Sequence, residues 1–492
     1  MIKQWAGDNE LLFVAIKMLI AASVFLPAVN VIAIIAVWQE RKIAGHMQSR
    51  LGPKHVGPFG MLQTIADGIK LLLKEDLIPR GADHFMFRLA PYLAFAPVFA
   101  AFLAVPFGPQ LCFEASFNIG VLYLLAVLSV EVMGTILAGW GSNSKWAIYG
   151  AMREACQMVS YEIPLGISII CGLLVAGTLH MTQLNYLQGG GIWDWFVFHN
   201  PFIFCAFLIY FVASLASTKR APFDLPESES ELVAGFHTEY SGFRWMYFFS
   251  AEYGAMFIVG AIQAMLFMGG WNSAIPPIWF NFEPVTVPII GWTLSTLCLD
   301  PVYWAIGYHP VEVGQAYFSG AIDAATTWGG KAQAMGISPF GLIVLNLYCL
   351  AWFVAKAWAV IFVHMWLRWT LPRIRIDQVL YSCVKVMLPA SLVMLAGVAV
   401  WIAFVPAPTP PAGLPVHVGH LVGAVPWLQA TTQVILMLLG LLIVASIVGV
   451  VLWTYIHRDK MPRKTLFPDV MPVGNEVHFT SGDESDAEPP SA

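Results

Sequence analysis

Long apolar runs alternate with short polar connections along most of the chain. Nine runs, at about 11 to 38, 89 to 107, 119 to 140, 163 to 185, 201 to 217, 245 to 270, 339 to 366, 379 to 405 and 428 to 455, read as membrane spans, because roughly 20 apolar residues cross a bilayer core of about 30 Å. The expected fold is therefore all-α, a polytopic bundle. The first run, of roughly 28 residues, is longer than an upright helix needs, so it should tilt or kink, with Pro27 the natural place. Trp38 ends it as an interfacial anchor. One further periodic stretch does not span: after the turns at Gly52-Pro53 and Gly57-Pro58, the residues Gln63, Asp67, Lys70 and Lys74 share one narrow polar face. That pattern predicts a helix lying in the interface or sealed against a partner.

Composition agrees with a membrane protein. In 492 residues, 58% are hydrophobic, only 11% are charged, and the mean hydropathy is +0.70. The N-terminus lacks the short apolar core and small-residue cleavage site of a signal peptide, so the first run is read as a retained span. Cations sort by side: Lys3 and Lys331 lie on one, Lys17, Lys356 and Lys385 fall within spans, and the rest of the 25 lie on the other. By the bias of cytoplasmic loops toward Lys and Arg, the N-terminus is expected outside and the C-terminus inside. The seven cysteines are scattered, without CxxC or metal-ligand spacing, so neither an iron-sulfur cluster nor a disulfide framework is indicated. Any flavin, haem or iron-sulfur centre should then belong to a partner. The net charge of -5 says little about partners, and no nucleic-acid partner is expected.

The chemistry concentrates between Lys219 and Tyr253, in KRAPFDLPESESELVAGFHTEYSGFRWMYFFSAEY. Here Asp224, Glu227, Glu229, Glu231, Glu239 and Glu252 stand beside or inside spans. Ionisable groups in a bilayer cost a few kcal/mol unless paired or hydrated, so they mark a proton relay or cation site, against the plainer reading of a solvated loop. Asp224, Pro226 and Glu227 read as a helix start, which would set Glu227 and Glu231 one turn apart on one face and leave one of them holding a proton. Phe223 and Phe236 flank them, as packing or as the wall of an isoprenoid-headgroup site.

Glu131 lies mid-span in VLSVEVMGTILAGW, and Glu162 is expected where the fourth span starts, as a second relay member or as a partner of the helix dipole. Glu40 and Asp67, two carboxylates among the cations of ERKIAGHMQSRLGPKHVGPFGMLQTIADGIKLLLKED, suggest an entrance for an amphiphilic ligand. Lys356, mid-span, is expected to meet a carboxylate or water, whereas Lys385 can snorkel. Residues 271–338 form a long outer connection that has room for short interfacial helices. Beyond 405, a Pro-rich linker and the ninth span occupy 406–465, and the acidic tail 466–492 reads as disordered.

Four segments together resemble the H-subunit family of respiratory complex I: ERKIAGHMQSRLGP with VGPFGMLQTIADGIKLLLKE, LAGWGSNSKW with QMVSYEIPLG, RAPFDLPESESELVAGFHTEYSG, and WLRWTLPRIRIDQ with Lys385. The likeness runs from about residue 10 to 405. It implies a membrane subunit of a proton-pumping NADH:quinone oxidoreductase, with ubiquinone or menaquinone as substrate. The implied partners are peripheral quinone-site subunits, antiporter-like membrane subunits and lipid, in a bacterial inner membrane. Carried over by motif, Arg41, Gln48, Arg50, Asp67, Phe223 and Phe236 border the quinone tunnel. Glu40, Glu131, Glu162, Asp224, Glu227, Glu229, Glu231, Glu239 and Glu252 form the acidic path that couples quinone chemistry to pumping. The chain departs from the pattern at Ser217 and Lys219, where many relatives have Glu and Asn, and at Met133 and Ile376, where Tyr is usual. Two rivals stand beside this reading. One is the same role in an enzyme fed by ferredoxin or another donor; the other is a cation/proton antiporter, although the chain shows none of the internal repeats usual in that class.

Overall fold

The computed structural model describes residues 10–112, 118–277, 279–287, 292–318, 322, 328–404 and scattered positions from 431 to 442. We number the long helices α1 (Glu10–Met47), α2 (Gln63–Leu73), α3 (His84–Ala101), α4 (Gly120–Gly141), α5 (Lys145–Ala176), α6 (Pro201–Ser217), α7 (Gly242–Phe267), α8 (Pro339–Thr370) and α9 (Ile376–Ala403). Among the described residues, seven helices are long and apolar enough to cross a membrane, and α6 is a shorter apolar helix. The fold is a polytopic helical bundle. Eight of the nine expected spans thus fall on helices; the ninth lies almost wholly outside the described residues, as do the linker and the acidic tail. The chain divides into a unit of residues 1–437 and a second of 438–492, most of which is also outside them.

Helix α7 is the hub, with 89% of its most apolar window buried against 17% for α9. It packs on α1, α3 and α8, while α5 packs along α4, α6 and α9. Small residues set the close approaches. A Cβ on Gly134 of α4 would stand 2.4 Å from the Ala94 nitrogen of α3, which leaves no room for any side chain. Asp83 caps α3 by accepting from the Phe85 and Met86 amides, and Asn200 caps α6 through Phe202.

Several boundaries differ from the sequence reading. Helix α1 runs to Met47, nine residues beyond Trp38, so Glu40 and Arg41 ride on the helix itself. Trp38 donates to the Phe59 carbonyl at 3.2 Å and ties the Gly57–Gly60 turn back to α1. Helix α5 begins at Lys145, not near 163: nothing between Ser144 and Pro164 breaks a helix, but Arg153, Glu154 and Gln157 interrupt the apolar run in its first half. Glu162 therefore sits mid-helix and not at an N-terminus. The outer connection holds an antiparallel pair, Trp279–Val287 with Trp292–Cys298, besides the short helices Pro301–Ile306, Pro310–Phe318 and Trp328–Ala334.

Lys356 is held by backbone carbonyls and, among the described residues, not by a carboxylate. Its ammonium donates to the Met268, Gly270 and Asn272 carbonyls at 2.7, 3.0 and 2.6 Å, where the chain leaves the C-terminus of α7. Orphan carbonyls and the negative end of a helix dipole satisfy a cation there as a carboxylate would.

Candidate functional site

The segment between α6 and α7 does not form the helix its Asp-x-Pro-Glu pattern suggests. Residues 221–228 turn irregularly, and only Glu229–Leu232 make a single helical turn. The tertiary reason is Gln157 of α5, whose amide donates to the Ala216 and Phe223 carbonyls at 2.8 and 2.9 Å and pins the loop across that helix. Gly150 lets the same loop lie against α5, since a Cβ there would come within 2.6 Å of the Phe236 nitrogen.

Glu227 and Glu231 are consequently not on one face. Glu231 is half exposed and pairs with Arg153 of α5 at 2.5 Å. Glu227 turns inward, 3.9 Å from the His237 ring. Burial first, then the nearby Glu252 and Asp224, holds the Glu227 carboxyl well above the ordinary range. Burial and then Lys219 push His237 down to about 4, so its ring is neutral at physiological pH.

Two buried charge networks meet at consecutive residues. Arg220, 2% exposed, donates through Nη1 to both Glu40 oxygens at 3.0 Å, stands 2.8 Å through Nε from Glu252, and stacks 4.4 Å from the Tyr253 ring. Glu40 also accepts from Tyr253 Oη and Arg368 Nη1, each at 2.5 Å. The acidic loop is thus riveted to α1, α7 and α8 through one carboxylate. Next to it, Lys219 points to the other side, 3.3 Å from Glu154 and 3.9 Å from Glu131. Arg373 closes the outer edge, donating to Asp224 at 3.2 Å and to Ser228 at 2.8 Å.

Two cavities flank these networks. The larger, about 390 Å³, is lined by the polar Asp224, Glu227, His237, Glu252, Arg368 and Arg373 and by the aromatic Trp245, Phe248, Phe249 and Trp369. The smaller, about 40 Å³, lies between α4, α5, α6 and α7 against Glu131, Tyr161, Glu162 and Ser217. Ser129 donates to Glu162 at its edge.

The expected tunnel residues fall into two groups. Arg41 pairs with Asp67 at 2.5 Å, Gln63 donates to the same carboxylate at 3.0 Å, and Arg50 donates to Gln48 at 2.6 Å, all at the partly exposed junction of α1, α2 and the turn between them. Phe223 and Phe236 are buried behind the larger cavity, Phe236 edge-on to its lining residue Phe248. Glu239 is half-buried with no cation within 4 Å among the described residues, and the side chain of Glu229 lies outside them.

Glu154, Gln157 and His364 were not singled out by sequence. Glu154 and Glu162 are eight residues apart, a separation that places them on one face of a helix once α5 is known to begin at Lys145. His364 sits fully buried beside Ser214, 3.2 Å from its hydroxyl. Among the described residues no group of three His, Cys, Asp or Glu could hold a metal ion.

Residues 19–402 match the NADH dehydrogenase family. The chain is 44% identical to the H subunit of NADH-quinone oxidoreductase from Chlorobium luteolum over 75% of its own length and 85% of the relative's. It is 44% identical to the Chlorobaculum parvum counterpart (74% and 87%) and 37% identical to that of Anaeromyxobacter dehalogenans (87% and 93%). The chain belongs to the H-subunit family of NADH-quinone oxidoreductase. The chain is thus a complex I membrane subunit, and its described residues bring the paired charges together from five helices and the α6–α7 loop.

Proposed function

We propose that this chain forms the wall of the quinone tunnel and the first stage of the acidic path to the antiporter-like subunits in a proton-pumping NADH:quinone oxidoreductase. It acts in a bacterial inner membrane with its N-terminus outside. The observation that carries the reading is the 390 Å³ cavity, whose aromatic walls suit a planar ring and an isoprenoid chain and whose polar wall is continuous with the buried networks. Arg41, Gln48, Arg50 and Asp67 would stand at its lipid-facing approach, with Phe223 and Phe236 backing its wall.

The chain's own contribution is electrostatic. A quinone gaining electrons near this wall becomes more negative and more basic. That change raises the proton affinity of Glu227 and disturbs the hold of Arg220 on Glu252 and Glu40. Because Lys219 adjoins Arg220 in the chain, movement of one network is transmitted to the Glu131–Glu154 side, and from there to Glu162 across the smaller cavity. Binding and reduction of quinone and the charge of Glu131 are then reciprocally coupled. Glu231 and Glu239 belong to the same acidic path, and the family resemblance adds Glu229 to it.

The test begins with purification of the tagged chain in mild detergent. Recovery with a flavin-bearing NADH-oxidising arm, iron-sulfur signals and antiporter-like subunits is expected; recovery as a homo-oligomer without redox centres would favour an antiporter. In the purified enzyme, Phe249→Trp, which fills the cavity, should raise KM for quinone about tenfold while NADH-to-ferricyanide activity stays unchanged. An unchanged KM in an assembled enzyme contradicts the tunnel assignment.

A further inference from the structure

Lys219 is held where lysine is conformationally unfavourable. Its φ of 52° is left-handed, a region that glycine or asparagine enters more easily than a long side chain. The ammonium so placed is 5% exposed and faces two buried carboxylates from different helices, Glu154 of α5 (1% exposed) and Glu131 of α4 (7%), at unequal distances of 3.3 and 3.9 Å. Among the described residues it is the one cation within 4 Å of either. A single ammonium cannot fully compensate two desolvated carboxylates. Beyond Glu131 lies the 40 Å³ cavity, large enough to hold water and bordered by Glu162 and Ser217.

We propose that Lys219 and Glu154 are positioning residues for proton transfer through Glu131: the ammonium is shared between the two carboxylates and shifts toward Glu154 whenever Glu131 is protonated. The inference rests on the coupling role proposed above. In the step itself the proton leaves the Glu162 carboxyl group, crosses the cavity through water, and binds a Glu131 oxygen. Glu162 is left as the carboxylate, and Lys219 keeps its three protons throughout. Return of the ammonium toward Glu131 then passes that proton to a water molecule of the cavity, and Glu131 is again a carboxylate. Glu154 is the counter-charge that gives the ammonium somewhere else to go.

Other charged and titratable groups face the trio. Tyr161 of α5 lies beside Glu154 and Glu131, Glu227 and His237 approach Lys219 from the loop, Glu252 approaches from α7, and the Phe236 ring stands 5.5 Å from its ammonium. None of these moves between the two carboxylates, so opposite substitutions in the pair should act oppositely. Removing the cation lets Glu131 hold its proton more readily; removing Glu154 commits the cation to Glu131.

The experiment measures protons translocated per electron by the assembled enzyme in sealed vesicles, from about pH 6 to about pH 9, a window around the ordinary histidine range. Lys219→Gln should move the midpoint of the profile to higher pH and Glu154→Gln to lower pH, each by about one pH unit. The double variant should follow Lys219→Gln, and Lys219→Arg should restore the wild-type profile. If Lys219→Gln does not assemble because two buried carboxylates are left without a cation, the double variant carries the test, since it leaves only Glu131 without one and that group neutralises by holding its proton. A wild-type profile in the assembled double variant, or shifts of the two single variants in the same direction, overturns the inference. Glu131→Gln and Glu162→Gln serve as controls. If these two pump normally, the coupling role has failed; if they are impaired while the Lys219 and Glu154 variants are not, only the positioning inference has.

Discussion

At the residue scale, Glu40 shows how one side chain organises a site. It is 5% exposed and accepts from Arg220, Arg368 and Tyr253, groups supplied by the acidic loop, α8 and α7. A charge so enclosed is tolerated only because every partner is charged or donates a proton. Glu40→Gln leaves the Arg220 guanidinium buried with one counter-charge fewer, at a cost of about 3–5 kcal/mol. The expected outcome is a several-fold drop in assembled enzyme, read by native gel and NADH-to-ferricyanide activity; normal assembly would show that Glu252 alone suffices for Arg220. Glu227 makes a pH-dependent prediction. Its carboxyl is raised by burial and by Glu252 and Asp224, so folding prefers the protonated form. The stability this contributes is fully present below the unfolded value of about 4.3 and is lost as pH rises through the folded one. Glu227→Gln, which stays neutral, should resist heat inactivation better than the wild type on the alkaline side and not on the acid side. Parallel inactivation curves at all pH values would count against a raised Glu227.

At the scale of elements, the acidic loop takes its path from the helices beneath it. Gly150 on α5 and the Gln157 amide two turns further along the same face fix where it crosses. Gly150→Ala would drive a Cβ to 2.6 Å from the Phe236 nitrogen, and backbone cannot yield there as a flexible side-chain end would. The loop should lift from α5, at about 1–3 kcal/mol, raising KM for quinone without changing ferricyanide activity. On the same helix, Gly166→Ala is the control, because nothing lies within 4 Å of its added Cβ. Equal kinetics for the two variants would refute the loop's dependence on Gly150. Helix α5 also shows why its start escaped the hydropathy pattern. Arg153, Glu154 and Gln157 in its first half interrupt the apolar run, yet each has a partner within the bundle: Arg153 meets Glu231, Glu154 meets Lys219, and Gln157 meets the loop carbonyls. Partners from other segments remove the desolvation penalty that a window average charges to the helix alone.

At the scale of the whole molecule, the asymmetric distribution of cations predicts the orientation. Lys331→Cys should react with an impermeant maleimide added to the outer face, above the background of the seven native cysteines. Arg80→Cys, on the exposed connection before α3, should react only after permeabilisation. The reverse pattern would invert the assignment of both faces. The hub position of α7 follows from the same large-scale arrangement: it carries Glu252 and Tyr253 into contact with Arg220 and Glu40, so its burial and the charge networks are one design.

Eight of the apolar helices, the helical-bundle class, the helix that begins at Gln63 and the concentration of carboxylates after Lys219 were legible in the sequence. Each depends on local periodicity or on the cost of charge in a bilayer, and both are properties of consecutive residues. Pairing was decided by tertiary structure. That Glu40 serves Arg220, that Lys356 is held by three carbonyls, that Glu227 and Glu231 part company, and that Glu154 stands against Lys219 all depend on residues between 65 and 328 positions apart, or on a loop path imposed by Gln157. A desolvated charge is stabilised by whatever reaches it within a few ångströms, and only the packed bundle determines which groups those are.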